Sequence, residues 1–335
     1  MILKNKFPTF YLILFNAFRF IINIGFVYIF QLLFGVENIL PGVAIGVGFT
    51  MLSTNDFNLR PWTMFFITVF LYTLSGLVGQ SALIPIIPAF IINFLFVILI
   101  VLLINEPQIL KSNISFLLCF VFAQSTPVPW QHFNIRLLSL LSGSLFVGIC
   151  IIINWYRKGY GKNGRNLKEQ ILLCQKNKSY MFRMAFGISI AMMIGMILEL
   201  KKPLWISIVV MSLTQLEFDE TIERIKHRFI GTMIGVTLFF IFFQLIIPSQ
   251  YAIIVVMLLG YIGFFFPDYK YKQIINAISA LNASLVLLDT KTAIASRITC
   301  LISGIIIVLS IYYITKIIRY IIITLKQYKL KQRFY

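Results

Sequence analysis

The sequence predicts an all-α polytopic membrane protein of about 12 transmembrane helices, arranged as two parallel six-helix repeats. Hydrophobic residues make up 59% of the 335 residues and charged residues only 12%, about half the charged share of a soluble domain. Long apolar runs alternate with short polar breaks along the whole chain. In addition, the scarce charged residues recur at a fixed spacing between the two halves.

Turn residues and charges divide the chain into twelve apolar segments. The first six are 10–35, 39–52, 61–79, 82–104, 114–125 and 136–155. The other six are 180–199, 203–217, 228–247, 249–267, 272–288 and 296–319. The sequence therefore predicts one six-helix membrane repeat over residues 1–156 and a second over 180–320. A basic cytoplasmic linker occupies 157–179, and a basic cytoplasmic tail occupies 321–335.

The linker permits two interpretations. Leu167, Ile171 and Leu172 lie near one helical face, which favours a helix along the inner membrane surface. The alternative is a solvated basic segment that only maintains the topology. In both cases the linker is too short to be a catalytic domain.

An internal repeat relates the two halves of the chain. An offset of 164 residues pairs Arg19 with Arg183, Thr50 with Thr214, Asp56 with Glu220, Arg60 with Arg224, and Thr68 with Thr232. Farther along, an offset of 161 pairs Arg136 with Arg297. Because charges are scarce, these coincidences indicate a true repeat. An even number of helices in each copy gives both copies the same orientation in the membrane.

The distribution of basic residues predicts the topology. If both termini and alternate loops lie inside, 22 lysines and arginines face the cytoplasm and five face the other side. This asymmetry follows the positive-inside rule and puts both termini in the cytoplasm. The N-terminus lacks a signal-peptide cleavage site, so the first segment is expected to remain as a helix. Richness in Ile, Lys and Asn is typical of an AT-rich bacterial genome, and we expect a multi-pass protein of the bacterial inner membrane.

Several function classes are disfavoured by the sequence. The net charge of +18 comes from residues between apolar runs rather than from a basic groove, so a nucleic-acid partner is not expected. The four cysteines show no CxxC spacing, which argues against a metal site or a disulfide. The two histidines lie far apart, and no P-loop or nucleophile elbow occurs. We expect neither an enzyme nor a bound cofactor.

Some predicted segments are too short to cross a bilayer, which needs about 20 residues. The segments 39–52 and 203–217 occupy matching places in the two repeats, and 114–125 and 272–288 are also short or polar. Short or interrupted helices at matching repeat positions are the best sequence indication of a central binding site.

Two arginines within apolar segments suggest the chemistry of that site. Arg19 and Arg183 are repeat mates, and an arginine at the centre of a membrane helix costs about 2.5–3.5 kcal/mol. We expect both to face a shared axial cavity and bind an anionic substrate, together with Thr50, Thr214 and Gln215. Because Arg183 is close to the inner boundary, its side chain could instead only reach toward the membrane surface.

Charged residues cluster where the segment 203–217 ends and 228–247 begins. Helical spacing would bring Glu220 next to Arg224 as an ion pair. We interpret Asp56, Arg60, Glu220, Arg224 and Arg228 as a network at the inner gate. The alternative is a solvated charged loop that fixes the topology.

Small residues follow this cluster directly. Gly231 and Gly235 are four residues apart with Thr232 between them, which predicts a close approach to a neighbouring helix. In membrane helices this spacing more often serves packing than ligand contact.

The stretch Pro203-Leu204-Trp205-Ile206, the apolar run to Gln215, the charged cluster and then Arg228 to Gly235 resemble a known pattern. It is similar to the hallmark of the fusaric-acid-resistance-like family of integral membrane transporters, which includes aromatic acid exporters. Larger members carry sizeable cytoplasmic domains after each six-helix block, and this chain has only a short linker and tail.

The resemblance implies efflux of aromatic or other organic acid anions across the inner membrane. The expected partners are the lipid bilayer and a small organic anion, and the formation of a homo-oligomer stays open. Two alternatives also stay open: a passive organic-anion channel, and a non-transporting membrane scaffold of a cell-envelope system.

Overall fold

The computed structural model of the protein describes residues 10–332 except 267 and 286. The first half contains α1 (Phe10–Phe34), α2 (Ile39–Leu52), α3 (Pro61–Gly79), α4 (Ile86–Ile104), α5 (Ile114–Ser125) and α6 (Phe133–Lys158). A linker helix, α7, spans Leu167–Cys174. The second half contains α8 (Lys178–Ile197), α9 (Leu204–Leu213), α10 (Phe218–Phe240), α11 (Ala252–Ile262), α12 (Tyr269–Ser284) and α13 (Thr290–Gln332). The predicted all-α class is confirmed, and no strand occurs in the described ranges.

Seven helical stretches are long and apolar enough to cross a membrane by length and composition, so the chain is a polytopic membrane protein. They contain α1, α3, α4, α6, α8, α10 and α13. The helices α2, α5, α9 and α11 are apolar but shorter. The prediction that 39–52 and 203–217 are short is confirmed, since α2 has 14 residues and α9 only 10.

Two helix boundaries differ clearly from the predicted segments. The helix α10 begins at Phe218 instead of 228, because Asp219 and Glu220 in its first turn are favourable at a helix N-terminus. A six-residue π-helical turn, Ile241–Ile246, continues it. The helix α13 extends to Gln332, so most of the predicted tail over 321–335 is helical. Residues 333–335 and 1–9, on which the predicted positions of the termini depend, lie outside the described residues.

The linker between the halves is held against the first half. Asn166 and Glu169 form a reciprocal capping box at the start of α7. The backbone of Arg165 exchanges hydrogen bonds with the α2–α3 loop, donating to Asn58 at 2.9 Å and accepting from Arg60 at 3.1 Å. Gln170 is buried and donates to the Glu106 carbonyl at 3.0 Å. The linker is therefore an ordered part of the surface formed by the helix ends.

The two halves pack differently around their cores. In the first half, α3 packs on α5 and α6, and α2 packs on α5 and α6. This core is contiguous with α8, α9 and α13, because α4 packs along α8. The pair α10 and α12 has a smaller core of its own, which includes Phe239, Ile278 and Leu281.

Glycines explain why α10 and α12 lie so close together. A Cβ atom added at Gly235 would come within 2.6 Å of the Ala277 Cβ, and one at Gly231 within 2.8 Å of the Gln273 Cβ. No side chain larger than hydrogen fits at these points without a shift of α12. The neighbouring Thr232 is buried in the same helix.

Candidate functional site

A cavity of about 1730 Å³ lies between α9 on one side and α12 on the other, with α5, α10 and α13 contributing to its wall. It extends along α9 from Lys202, before the helix, to Gln215, after it. A helix of ten residues is about 15 Å long. The cavity therefore follows the whole of this short helix rather than opening at one end only.

The wall of the cavity is strongly basic. Seven lysines and arginines line it against three acidic residues. The basic residues are Lys111, Lys202, Arg224, Arg228, Lys270, Lys272 and Arg297, and the acidic ones are Glu220, Glu223 and Asp268. Side chains that donate or accept hydrogen bonds, among them Asn113, Tyr180, Ser212, Asn276 and Ser279, complete the lining. Such a wall attracts anions and can hold water.

Arg228 is one of two buried cations in this wall. Its side chain is only 3% exposed and donates to the Ser212 hydroxyl on α9 and, at 3.3 Å, to the Tyr269 hydroxyl on α12. Its Nε is buried without a hydrogen-bond partner. Because Arg228 precedes Gly231 by less than one turn, the close approach of α10 to α12 also brings its guanidinium against Tyr269.

Arg297 on α13 is the second buried cation. It is 5% exposed, and its guanidinium carbon lies 5.1 Å from the centre of the Trp205 ring. Within the described part of the chain, no hydrogen bond or ion pair holds this guanidinium. Arg228 and Arg297 are close enough to repel each other. An anion between them would therefore remove an unfavourable interaction.

A third basic group stands where the cavity meets the loop between α4 and α5. The Lys111 Nζ donates to the Gln215 Oε1 at 3.4 Å. Burial, followed by the nearby positive charge of Arg224, lowers the Lys111 pKa to about 8, while Glu220 acts in the opposite direction. This end of the cavity consequently carries a cation whose charge changes near neutral pH.

The predicted pair Arg19 and Arg183 is not brought together. Arg183 is buried and donates to the carbonyl oxygens of Gln215 at 3.1 Å and Leu216 at 2.7 Å, with its guanidinium 4.2 Å from the Tyr312 ring centre. It thus caps the end of α9 and does not line the cavity. The structure corrects the expectation of one shared site for both arginines.

Arg19 lies over two aromatic rings. Its guanidinium carbon is 5.6 Å from the Phe264 ring centre and 5.7 Å from the Phe15 ring centre. The helix α1 is exposed along most of its length, as expected for a helix in contact with lipid. Arg19 does not line the cavity.

The remaining predicted site residues divide between the cavity and the loops. Thr214 and Gln215 line the cavity, whereas the Thr50 hydroxyl donates within α2 to the Val47 carbonyl at 3.0 Å. Thr214 likewise donates within its own helix, to the Val210 carbonyl at 2.9 Å. Of the predicted substrate residues, only these two from the second half lie in the wall.

The predicted gate network is split in the same way. Glu220, Arg224 and Arg228 line the cavity, whereas Asp56 and Arg60 lie in the exposed α2–α3 loop. The expected ion pair between Glu220 and Arg224 does not form in the described structure. Instead, Arg224 donates to the Ser212 carbonyl at 3.2 Å and lies 4.8 Å from the Tyr269 ring centre. The charges of α10 therefore point to the cavity wall rather than to each other.

The wall residues that were not singled out from the sequence as site residues include Lys111, Trp205, Tyr269 and Arg297. The predicted repeat contained a signal for one of them, since it pairs Arg297 with Arg136. Arg297 stands second in the predicted segment 296–319, where a cation is ordinary at a membrane surface. In the structure α13 begins at Thr290, which puts Arg297 two turns inside the helix.

Comparison with known proteins gives one match. Residues 190–311 match the family model described as fusaric acid resistance protein-like. The matched region covers just over a third of the chain and includes α9, α10, α11, α12 and about half of α13, the helices around the cavity. Neither a search of curated proteins nor a search of solved structures finds a match. The resemblance predicted from the sequence is confirmed.

Proposed function

We propose that this membrane protein is a transporter that exports organic acid anions. The match of residues 190–311 to the fusaric acid resistance protein-like family supports the proposal. Aromatic carboxylates are the substrate class that its cavity suits best. The proposed location is the bacterial inner membrane, with both termini and the linker over 157–179 in the cytoplasm, as the asymmetry of basic residues supports.

The observation that carries this proposal is the pair of buried arginines in one polar cavity. Arg228 and Arg297 both line it, and no acidic side chain forms an ion pair with either among the described residues. A buried guanidinium without a counter-charge is costly, and membrane proteins retain such groups mainly where they serve a pathway. A carboxylate supplies the missing charge and can accept two parallel hydrogen bonds from one guanidinium.

The positions of the arginines suggest how an anion moves along the cavity. Arg228 contacts Ser212 near the end of α9, while Arg297 lies over Trp205 near its start. Ser212 and Trp205 are seven positions apart in α9, a distance of about 10 Å along the axis. An anion released from the first arginine therefore reaches the second in one short step.

The preference for aromatic acids follows from the rings beside the cations. Trp205 lies under Arg297, and Tyr269 lies next to both Arg228 and Arg224. A ring attached to a carboxylate can pack on the same aromatic surface that supports the guanidinium. A small inorganic anion would use the charge but not the rings.

Transport by purified protein in liposomes tests the proposal. The liposomes are loaded with a high concentration of unlabelled benzoate, and labelled benzoate is added outside. Its uptake by counterflow is measured with and without a proton gradient. We expect saturable counterflow, which a carrier shows and a passive channel does not. In Arg297→Gln and Arg228→Gln, the loss of a charged hydrogen bond should reduce the initial rate roughly tenfold or more.

A matched control removes one positive charge outside the cavity. Lys201 is exposed, precedes the cavity residue Lys202 and does not line the wall. Lys201→Gln should keep the normal rate. Equal rates in Lys201→Gln and Arg297→Gln would contradict the proposed site. Non-saturable flux would favour the channel, and no flux of any organic anion would favour the scaffold.

A further inference from the structure

A second cavity, of about 1090 Å³, shares no lining residue with the first and involves only the first half and the linker. It is a cleft between α3 and α4, and the end of α6 and the start of the linker close it at one end. Its wall along the helices is apolar and includes Phe66, Ile67, Phe70, Leu99 and Leu103. The side chains of Phe66 and Phe70 are half-exposed or more, so the cleft opens to the lipid side.

The closed end of the cleft is basic and aromatic. Arg60 and Lys162 line it, both exposed, and no acidic residue does. Trp62, Tyr156 and Tyr160 stand beside them. Tryptophan and tyrosine rings next to basic side chains are typical of the level of lipid headgroups.

The loop that presents these cations has a fixed conformation. Gly161 has a φ of +66°, and a Cβ atom there would come within 2.1 Å of the Leu59 carbonyl oxygen. At Gly164 a Cβ atom would lie 2.4 Å from the Leu59 carbonyl carbon. The Nε of Arg60 donates to the Gly164 carbonyl at 3.3 Å. Two close backbone contacts and this hydrogen bond therefore hold Arg60 and Lys162 on the same side of the cleft.

The length of the cleft matches one leaflet of a bilayer. From Pro61, at the basic end, to Phe70, the wall follows nine residues of α3, about 14 Å. Half of a hydrocarbon core of about 30 Å is about 15 Å. An acyl chain that enters beside Phe70 would thus end with its headgroup at Arg60.

We propose that this cleft binds one anionic phospholipid from the leaflet next to the linker. The phosphate is held by Arg60 and Lys162, the glycerol lies among the aromatic rings, and an acyl chain fills the apolar wall between α3 and α4. Free phosphate uses only the basic end and leaves the apolar length of the cleft empty. The site is independent of the anion cavity, since no residue lines both.

Native mass spectrometry of the full chain tests this site. The protein is taken from nanodiscs that contain equal amounts of phosphatidylglycerol and phosphatidylcholine with identical acyl chains. We expect one phosphatidylglycerol molecule to be retained after mild activation, with little phosphatidylcholine. Arg60→Gln together with Lys162→Gln should reduce the retention of phosphatidylglycerol roughly tenfold, because each removed cation weakens the attraction to the anionic headgroup.

Two comparisons decide the outcome. Lys168→Gln together with Lys176→Gln removes the same charge from exposed linker positions outside the cleft, and should retain the lipid as the unmodified chain does. Glycerol phosphate at millimolar concentration should not displace the lipid. Equal loss in both double variants, equal retention of phosphatidylcholine, or displacement by glycerol phosphate would each overturn the proposal. Retention that depends on Arg60 and Lys162 alone supports it, provided that both double variants unfold at the same temperature.

Discussion

In the first half of the chain α2 packs directly against α5, whereas in the second half α9 and α12, the helices at the positions that the predicted repeat matches, line a large basic cavity. Likewise α3 packs extensively on α6, while α10 is associated mainly with α12. The pair α10 and α12 has its own small core and packs less extensively on the rest of the chain. The first half is thus packed as a closed bundle, whereas the second half encloses a cavity.

Arg136 and Arg297, which the predicted repeat pairs, show what this difference means chemically. Arg136 is buried and donates to the Asn38 Oδ1 at 2.5 Å and to the carbonyls of Glu37 and Thr126 at 2.8 and 2.9 Å. Arg297 is also buried but has no such acceptors.

The sequence contains a reason for this loss of acceptors. With the offset of 164 residues, Glu37 and Asn38 correspond to Lys201 and Lys202. An asparagine oxygen that accepts from a guanidinium is thus replaced by an ammonium group, which cannot accept and repels it. One arginine therefore stabilises the fold, while its mate remains available to a ligand.

The largest effect is expected from the substitution of Arg136. Arg136→Gln leaves several buried acceptors without their donor at about 1–3 kcal/mol each, so folded yield should fall severely. Arg297→Gln should keep its yield and lose transport. Size-exclusion chromatography and thermal unfolding in detergent measure the first effect, and counterflow measures the second. Normal folding of Arg136→Gln would remove the proposed division of roles.

A smaller effect is expected where α10 approaches α12. Gly235→Ala adds a methyl group 2.6 Å from the Ala277 Cβ, and overpacking of this kind costs about 1–3 kcal/mol. The unfolding temperature should fall. Gly25→Ala is the control, because a Cβ atom at Gly25 in α1 meets nothing within 4 Å. If Gly235→Ala unfolds normally but changes substrate preference, Gly235 lines the pathway instead.

A still smaller effect, that of pH, is expected at Lys111, the residue of the first half that adds a positive charge to the cavity wall. The pKa of Lys111 is lowered to about 8, so its positive charge is lost as the pH rises through 8. Next to Gln215, Arg224 and Glu220, this loss should weaken anion binding several-fold between pH 7 and 9. The KM of counterflow should increase over this interval. In Lys111→Arg the increase should disappear, and an undiminished increase would assign it to another group.

The smallest effect on transport is expected from the substitution of Arg19, which the predicted repeat pairs with Arg183. Arg19 lies over Phe264 and Phe15 outside the cavity, an interaction of about 0.5–1 kcal/mol. Arg19→Gln should therefore leave benzoate counterflow nearly unchanged. Arg183→Gln should lower the unfolding temperature, because it removes the donor that caps Gln215 and Leu216. Abolished counterflow in folded Arg19→Gln would restore the shared site predicted from the sequence.

The fold was predictable from sequence where the bilayer imposes the pattern. Apolar runs place most helices within a few residues, and the shortness of α2 and α9 is visible as missing length. Hydropathy does not find the start of α10 or the end of α13, because charged residues are helical there outside the apolar runs. Polar helix ends require capping and dipole arguments rather than a count of apolar residues.

The site was predictable only in part. Charge recurrence identified Arg19 as unusual, but the few polar residues of α1, among them Asn16, Arg19 and Asn23, do not show which other helix lies against them. Thr214, Gln215, Glu220, Arg224 and Arg228 were named and do line the cavity. Arg297 was passed over because its distance from the helix start depends on where α13 begins. The opening between α9 and α12 depends on tertiary packing and has no local signal.

The shortness of α9 also determines the electrical work of transport. Its ten residues cover about 15 Å, half of a hydrocarbon core of about 30 Å, and polar side chains accompany it from Lys202 to Gln215. If this cavity held water, it would conduct along the length of α9, and the membrane voltage would fall mainly across the part of the hydrocarbon core that the cavity does not span. One negative charge leaving a cell with a negative interior gains about 2.3 kcal/mol per 100 mV. The resting voltage therefore favours the outward movement of an anion that we propose, and a water-filled cavity beside α9 would confine that force to the rest of the membrane thickness.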